Sequence, residues 1–339
     1  MDIKVVLNAL RSIGVSTGRD AFLFALSRDL SDGAIPAKKY AGNFKSPGKV
    51  IEQRILNDGV DINFDNARLS VKFLTDTLVR ITWEPGKVPV PYTIRQKDWQ
   101  EITIGIEQDD RGIILSSEAL NLNIDNNGGI QFSSQDGRIL RADFPPEMHG
   151  KAWELKTQFR DDEHLYGLGE RAASLNLIGG SYHSWNTDPG GSYTSGDDPL
   201  YICTPVLMAL GSTGSYLVYF ENSFPATFDL SPVAKFNFSE GALQYYFMVG
   251  APEELFVQYT DLTGCPPLPP RWVFGYHQSR WGYRSDAEIR DIAQQFEAHQ
   301  LPISAIHLDI DYMDGYRVFT ADKARFPDLR LLSDDLKEK

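Results

Sequence analysis

The residues best suited to chemistry sit in one stretch, Ile303–Phe326, ISAIHLDIDYMDGYRVFTADKARF. An apolar, β-branched run leads into Asp309 and Asp311, two residues apart. Asp314, Tyr316 and Arg317 then crowd the positions around Gly315. Alternate side chains of a strand share a face, so a strand over 303–310 would put both carboxylates on one side. A core has no use for unpaired carboxylates, whose burial is costly. The carboxyl end of a parallel strand does, because substrate-binding loops start there. A carboxylate in that place accepts hydrogen bonds from hydroxyls. The same residues also fit a solvated strand end. Asp309-x-Asp311 matches the short D-x-D pattern of metal-dependent glycosyl transfer as well.

The elements that would position this stretch form a β-α-β unit. Trp272–His277 reads as a strand, and Gln278–Arg284 as a loop carrying Arg280, Trp281, Tyr283 and Arg284. Ser285 is an N-cap, and Glu288 three residues on completes the capping-box pattern. Ile289, Ile292, Ala293 and Phe296 mark one helical face. His299 and Gln300 end that helix, Pro302 follows, and the next strand begins at once. Two strands joined this way are parallel, with a right-handed crossover. His277 and His307 fall on these strands and read as core histidines. Leu329–Leu336 opens a further helix.

Upstream, GCPPLPP at 264–270 is too rich in proline for helix or central sheet, so it reads as a stiff connector. Pro252–Leu262 before it reads as a helix with Leu255, Phe256 and Tyr259 on one face. From Val50 to Val249 the punctuation is that of an all-β domain. Alternating runs include Ala67–Leu74, Thr77–Trp83, Ile102–Ile106, Gly112–Leu115, Leu120–Ile124, Trp153–Phe159, Ile202–Leu210, Tyr216–Phe220, Thr227–Leu230 and Leu243–Val249. Asn126-Asn127-Gly128-Gly129 and Asp136-Gly137 are turns, since Asn and Gly accept positive φ cheaply. Many short strands at close spacing suggest a β-sandwich. Two segments stand apart. Glu163–Arg171, EHLYGLGER, allows a close backbone approach, read as packing against a neighbouring domain. Ser181–Pro199 is a long aperiodic loop whose aromatics argue for order. Residues 1–48 suggest short elements at Ile3–Leu10 and Ala21–Leu30, with no function.

Composition narrows the function classes. The 339 residues are 42% hydrophobic and 23% charged, with a net charge of −13. That balance fits a multi-domain globular protein and excludes a phosphate-backbone ligand, so no nucleic acid is expected. Cys203 and Cys265 form no disulfide framework or zinc pattern. With no secretory leader at the N-terminus and no run of membrane-spanning length, the expectation is a cytoplasmic protein with no membrane association. No cofactor and no metal is expected.

Several segments together resemble glycoside hydrolase family 31, the α-glucosidase and α-xylosidase family. They are LYGLGER at Leu165–Arg171, WNTDP at Trp185–Pro189, YTDLTGCPPLPPRWVFGYHQSRWGYRS at Tyr259–Ser285, IHLDIDYMDGYRVFT at Ile306–Thr320, and RFPD at Arg325–Asp328. The last long segments are the most specific, because both content and spacing fit. The resemblance runs from about Val50 to the C-terminus. It implies a β-sandwich over 49–250, a helix and proline-rich connector over 251–271, and the first two βα units of a (β/α)8 barrel over 272–339. It implies substrate-binding roles for four residues. Asp188 would reach a sugar hydroxyl from a sandwich loop. Trp281 would wall the −1 subsite, Asp309 would hydrogen-bond the sugar 4-hydroxyl, and Ile310 would line the same pocket. Asp311 would be structural, paired with Arg280, Arg284 or Arg317. The family's two catalytic aspartates belong to later barrel strands, so no catalytic residue is assigned. The chain is then expected to be a truncated member, inactive alone, that takes an oligosaccharide or α-glucoside. The expected partner is a companion chain completing the barrel, or a second copy. A carbohydrate-binding sandwich module is the alternative.

Overall fold

A computed structural model describes residues 44–90, 93–189 and 193–338, with residues 19, 20, 22, 23, 26, 27 and 30. Ile3–Leu10 lies outside the described residues. Within Ala21–Leu30, the described residues are helical and exposed. The chain divides into two units at Gly264 and Cys265.

The first unit is a β-sandwich. One sheet of eight antiparallel strands runs in the order Val50–Leu56, Gly59–Phe64, Arg68–Thr75, Leu78–Glu84, Leu243–Val249, Gly214–Phe220, Cys203–Gly211, His164–Gly169. The other runs Ser181–Ser184, Ala226–Asp229, Val233–Phe238, Ala152–Gln158, Ile139–Asp143, Ile130–Ser134, Leu120–Asp125, Gly112–Ser116, Gly105–Gln108. Glu147–His149 is added beside Ala152–Gln158. Alternation sorts their side chains. In Leu120–Asp125, Leu120, Leu122 and Ile124 are buried while Asn123 and Asp125 face water. The inward faces meet in one core containing Trp83, Phe132, Tyr216, Phe220, Phe236 and Phe247. The expected turns are present. Asp125 Oδ1 accepts from the Asn127 and Gly129 amides at 2.7 and 3.0 Å, and Gly128 takes φ +93 between the two strands.

A buried ion pair lies within this sandwich. Arg141 Nε donates to Asp143 Oδ1 at 2.8 Å, and Tyr245 OH donates to Asp143 Oδ2 at 2.8 Å. The two charged side chains are 0% and 1% exposed. Burial lowers Arg141's hold on its proton, but the charge and hydrogen bond of Asp143 together with Tyr216 and Tyr245 outweigh it, and the guanidinium stays above its ordinary range.

Helix Pro252–Thr263 belongs to the first unit and covers the outer face of the eight-stranded sheet. Leu255 and Leu262 are fully buried there with Tyr259 half-buried, but Phe256 points to solvent. The expected face therefore needs correcting: positions i, i+4 and i+7 share a stripe, and the i+1 residue is turned about 100° away.

Two further expectations also change. Leu165–Arg171 packs within its own domain. Gly167 (φ +125) and Gly169 (φ +82) flank Leu168 (φ 61) in a bulge against Cys203–Gly211. A Cβ on Gly167 would meet the Val206 carbonyl oxygen at 2.3 Å, so only glycine fits. Part of the 181–199 loop is a strand, Ser181–Ser184, paired with Ala226–Asp229. Arg171 ties these two segments together. It donates to the Leu168 and His183 carbonyls at 3.0 and 2.9 Å and pairs with Asp198.

The second unit is the β-α-β element. Strand His277–Ser279 lies parallel to Ala305–His307, with helix Asp286–Ala298 between them and helix Leu329–Lys337 after. Ser285 Oγ caps its helix by accepting the Glu288 amide at 3.2 Å. The reciprocal half of the box is diverted, because Glu288 Oε2 accepts the Arg284 amide instead. Both strands are shorter than expected. Residues Arg271–Phe274 form a 3-10 turn, and pairing on the second strand stops at His307. Tyr283, Ile289, Phe326 and Leu332 form the unit's small buried core. Trp272, Phe274, Tyr276 and Leu301 remain exposed.

Candidate substrate-binding site

Register brings the two loops of the second unit together. Ser279 is the strand partner of His307. Trp281 and Asp309 each lie two residues beyond those partners, past the ends of strands about 5 Å apart. Both loops thus leave the same, carboxyl end of a parallel pair. Trp281 is 67% exposed, and Ile310 is also on the surface.

Asp309 does not sit on a strand, which overturns the alternating placement of Asp309 and Asp311. The chain turns immediately after Leu308, and Asp309 takes φ 57 in that turn. Asp is among the few non-glycine residues that enter the left-handed region as single residues. Among the described residues its carboxylate has no hydrogen bond or ion pair. Asp311 faces the other way. Its Oδ1 accepts from Tyr316 OH at 3.0 Å, and its Oδ2 stands where a Cβ on Gly282 would be, 1.7 Å away. Gly282 itself takes φ +78. The loop after the first strand is therefore seated against the Asp311 side chain. That contact replaces the arginine pairing expected for Asp311. Arg280 instead pairs with Glu288 and lies over the Tyr283 ring at 4.8 Å, and Arg317 pairs with Asp314.

The rest of the loop is held from behind. Arg325 Nε donates to Asp322 at 2.7 Å, which lowers the Asp322 pKa, and a guanidinium nitrogen reaches the Met313 carbonyl at 3.2 Å. Phe326 is fully buried beneath. Tyr316 and Phe319 join Asp309 in the left-handed region, at φ 60 and φ 62. Three such non-glycine residues within eleven positions mark strained backbone, which surrounding structure must hold and which concentrates at binding sites.

The histidines differ from expectation. His277 and His307 are not independent core residues. Their ring nitrogens lie 3.0 Å apart, and His307 is exposed. His277 also stacks on Trp272, with centroids 5.8 Å apart. They occupy diagonal positions of the pair, since His277 is opposite Ala305. Spacing alone does not reveal such a diagonal contact.

Asp188 lies in the first unit, on an exposed loop beyond Ser181–Ser184. Tyr201 OH donates to its Oδ1 at 2.8 Å, and that bond raises the Tyr201 pKa. The loop is closed by the Thr187 amide on the Leu200 carbonyl at 2.9 Å and by Asn186 on the Tyr201 carbonyl at 2.8 Å. Among the described residues no cluster of His, Cys, Asp and Glu is arranged to hold a metal, and no helix is long and apolar enough to cross a membrane.

Comparison with known proteins extends both units. The family model for the glycosyl hydrolase 31 N-terminal galactose mutarotase-like domain matches residues 68–229. The model for the glycosyl hydrolases family 31 TIM-barrel domain matches residues 266–339. "Alpha-glucosidase 2" of Bacillus thermoamyloliquefaciens is 33% identical over 286 residues, 81% of this chain and 36% of that protein. "Alpha-glucosidase" of Saccharolobus solfataricus is 31% identical over 182 residues, 52% of this chain and 26% of that one. The chain thus spans about a third of the length of such relatives. Among solved structures, a Flavobacterium johnsoniae GH31 dextranase complexed with isomaltotriose superposes with a TM-score of 0.79 at 23% identity, covering 87% of this chain and 38% of the dextranase. A GH31 α-xylosidase from a soil metagenome, complexed with xylose, gives 0.70 at 19%, covering 85% and 46%. The sandwich and the opening of the barrel match successive domains of one family, in that family's order, and the sequence is a third identical to an α-glucosidase over most of its length: the chain belongs to glycoside hydrolase family 31.

Proposed function

We propose that this chain supplies part of the −1 sugar subsite of a retaining α-glucosidase. The observation that carries the proposal is the unpaired carboxylate of Asp309, two residues past the end of one parallel strand as the exposed Trp281 is past the end of its registered partner. In this reading Asp309 accepts hydrogen bonds from sugar hydroxyls, Trp281 offers its flat apolar face, and Ile310 adds an apolar edge; Asp188, in the sandwich unit, is read by itself as an acceptor for a sugar hydroxyl. These groups bind the sugar and do not break its bond. Retention requires two carboxyl groups about 5–5.5 Å apart, one attacking and one protonating. The neighbouring acids are engaged: Asp311 with Tyr316, Asp314 with Arg317, Asp322 with Arg325. One free carboxylate cannot perform both roles, so the 339 residues alone are inactive in this reading. Relatives named α-glucosidases support a glucoside over a xyloside as the substrate in this reading. The exposed Trp272, Phe274, Tyr276 and Leu301 support a companion chain, or a second copy, that covers the open barrel strands. Two unpaired cysteines support a reducing, cytoplasmic setting.

The test is calorimetric titration of the chain with 1-deoxynojirimycin, a glucose-shaped amine, together with an aryl α-glucoside assay. A charge-assisted hydrogen bond is worth about 1.5–3 kcal/mol, so Asp309→Ala is expected to weaken binding by about 10-fold to 150-fold. Unchanged affinity in Asp309→Ala defeats the subsite assignment. Turnover of the aryl glucoside by the chain alone defeats the division between binding and bond cleavage.

A further inference from the structure

The sandwich unit contains a second built cleft, remote in sequence from the barrel loops. Its floor is made by cross-strand pairs on the outer face of the eight-stranded sheet. Thr82 is registered with Gln244, and Arg80 with Tyr246. Period-2 geometry turns all four toward the same side. Glu221, just past the neighbouring strand, joins them. The cleft has a volume of about 690 Å³ and is open to solvent, and Trp99 forms part of its wall.

Three hydrogen bonds run along the floor. Thr82 Oγ1 donates to Gln244 Oε1 at 2.8 Å, Gln244 Nε2 donates to Glu221 Oε2 at 2.5 Å, and Tyr246 OH donates to the same Oε2 at 2.9 Å. Thr82, Glu221, Gln244 and Tyr246 are all more than nine-tenths buried. The arrangement is complete except at one atom, Glu221 Oε1, which is buried without a partner. Buried polar atoms are nearly always satisfied, and an exception calls for a reason. Both neighbours that reach this carboxyl group, Gln244 and Tyr246, have converged on the other oxygen.

The chemistry of the walls selects a ligand. Arg80 carries the positive charge that bears on Glu221, yet forms no ion pair within 4.0 Å among the described residues. Acids and bases line the cleft in near balance, with Asp58, Glu84 and Glu221 against Arg68, Lys72 and Arg80 among them, and together they disfavour a ligand with net charge of either sign. They favour a neutral molecule with adjacent hydroxyls, which donate to the one and accept from the other. Half-buried Trp99 offers the flat apolar surface that the carbon face of such a molecule needs. The volume falls within the usual range for small-ligand sites, about 300–1,000 Å³.

We infer that this cleft is a second carbohydrate site, which takes a neutral mono- or disaccharide and works independently of Asp309 and Trp281.

The test is saturation-transfer NMR on the 339-residue chain with maltose and isomaltose as probes, in an Asp309→Ala/Trp281→Ala background. Inorganic phosphate and putrescine serve as charged comparisons. Transfer to at least one sugar is expected to persist in that background. Adding Trp99→Ala or Arg80→Gln is expected to weaken it at least about tenfold, or about 1.4 kcal/mol. Both residues are only half-buried, and circular dichroism with the unfolding midpoint confirms that the variants fold. Glu221→Gln provides a third variant. The inference is overturned if neither sugar receives transfer, if the double background removes it, if Trp99→Ala and Arg80→Gln both leave it unchanged, or if phosphate or putrescine binds in the sugars' place.

Discussion

Substituting Gly282 by alanine should release the Trp281 loop from Asp311. Two costs add. Gly282 takes φ +78, where a Cβ costs an L-residue about 1–2 kcal/mol. The new methyl would also fall 1.7 Å from Asp311 Oδ2 and 2.6 Å from its Cγ. Asp311 must then rotate away and lose its bond from Tyr316, worth about 1 kcal/mol. The expected local destabilisation is about 2–3 kcal/mol, equivalent to about 30-fold to 150-fold faster amide exchange where opening controls it. Hydrogen exchange followed by mass spectrometry on the peptide covering 277–284 reads this directly and needs no global two-state unfolding. A double-mutant cycle separates the terms. In an Asp311→Ala background the Oδ2 and Cγ clashes are gone and only a 3.2 Å approach to the Cβ remains, so Gly282→Ala should cost little beyond the backbone part, with a coupling of about 1 kcal/mol. Exchange in Gly282→Ala within about threefold of the parent, or no relief from Asp311→Ala, would refute the proposed contact.

Two further outcomes follow from the sandwich. Asp143→Ala leaves the Arg141 guanidinium buried and unpaired and should cost about 3–5 kcal/mol in denaturant unfolding, whereas Arg141→Met with Asp143→Leu should recover most of that loss. If the double variant is no better than the single, the pair is not the source. Burial raises the Glu221 carboxyl above its ordinary range, outweighing the bonds from Tyr246 and Gln244. The folded state therefore holds this proton more tightly than the unfolded state, and stability falls as pH rises from the unfolded value, about 4.3, toward the folded one. Glu221→Gln removes that titration, so its melting temperature relative to the parent should rise between pH 4 and pH 7. A constant difference across that range would contradict the assigned shift.

The local chemistry of the chain was legible wherever neighbours in sequence are neighbours in space. Asn126-Asn127-Gly128-Gly129 names its own hairpin because positive φ is a property of those residues. Ser285 caps its helix through an amide three positions away, and the proline run at 266–270 follows the break at Gly264 and Cys265. The parallel β-α-β unit follows from a helix placed between two apolar runs. So did the family, because content and spacing agree over Tyr259–Ser285 and Ile306–Thr320.

What tertiary structure decided was every contact between distant partners. Leu78–Glu84 lies beside Leu243–Val249, more than 150 residues on, and no alternation pattern names that partner. The Thr82–Gln244–Glu221–Tyr246 row exists only because of that pairing. Strand length in the second unit was likewise beyond local reading. The β-branched run favours an extended chain through Ile310, but pairing ends at His307 and the backbone turns over. That turn sends Asp309 to solvent and Asp311 onto Gly282, two carboxylates two residues apart with opposite surroundings. Residue type can announce that an acid is present; only the path of the backbone determines which acid is left free to bind.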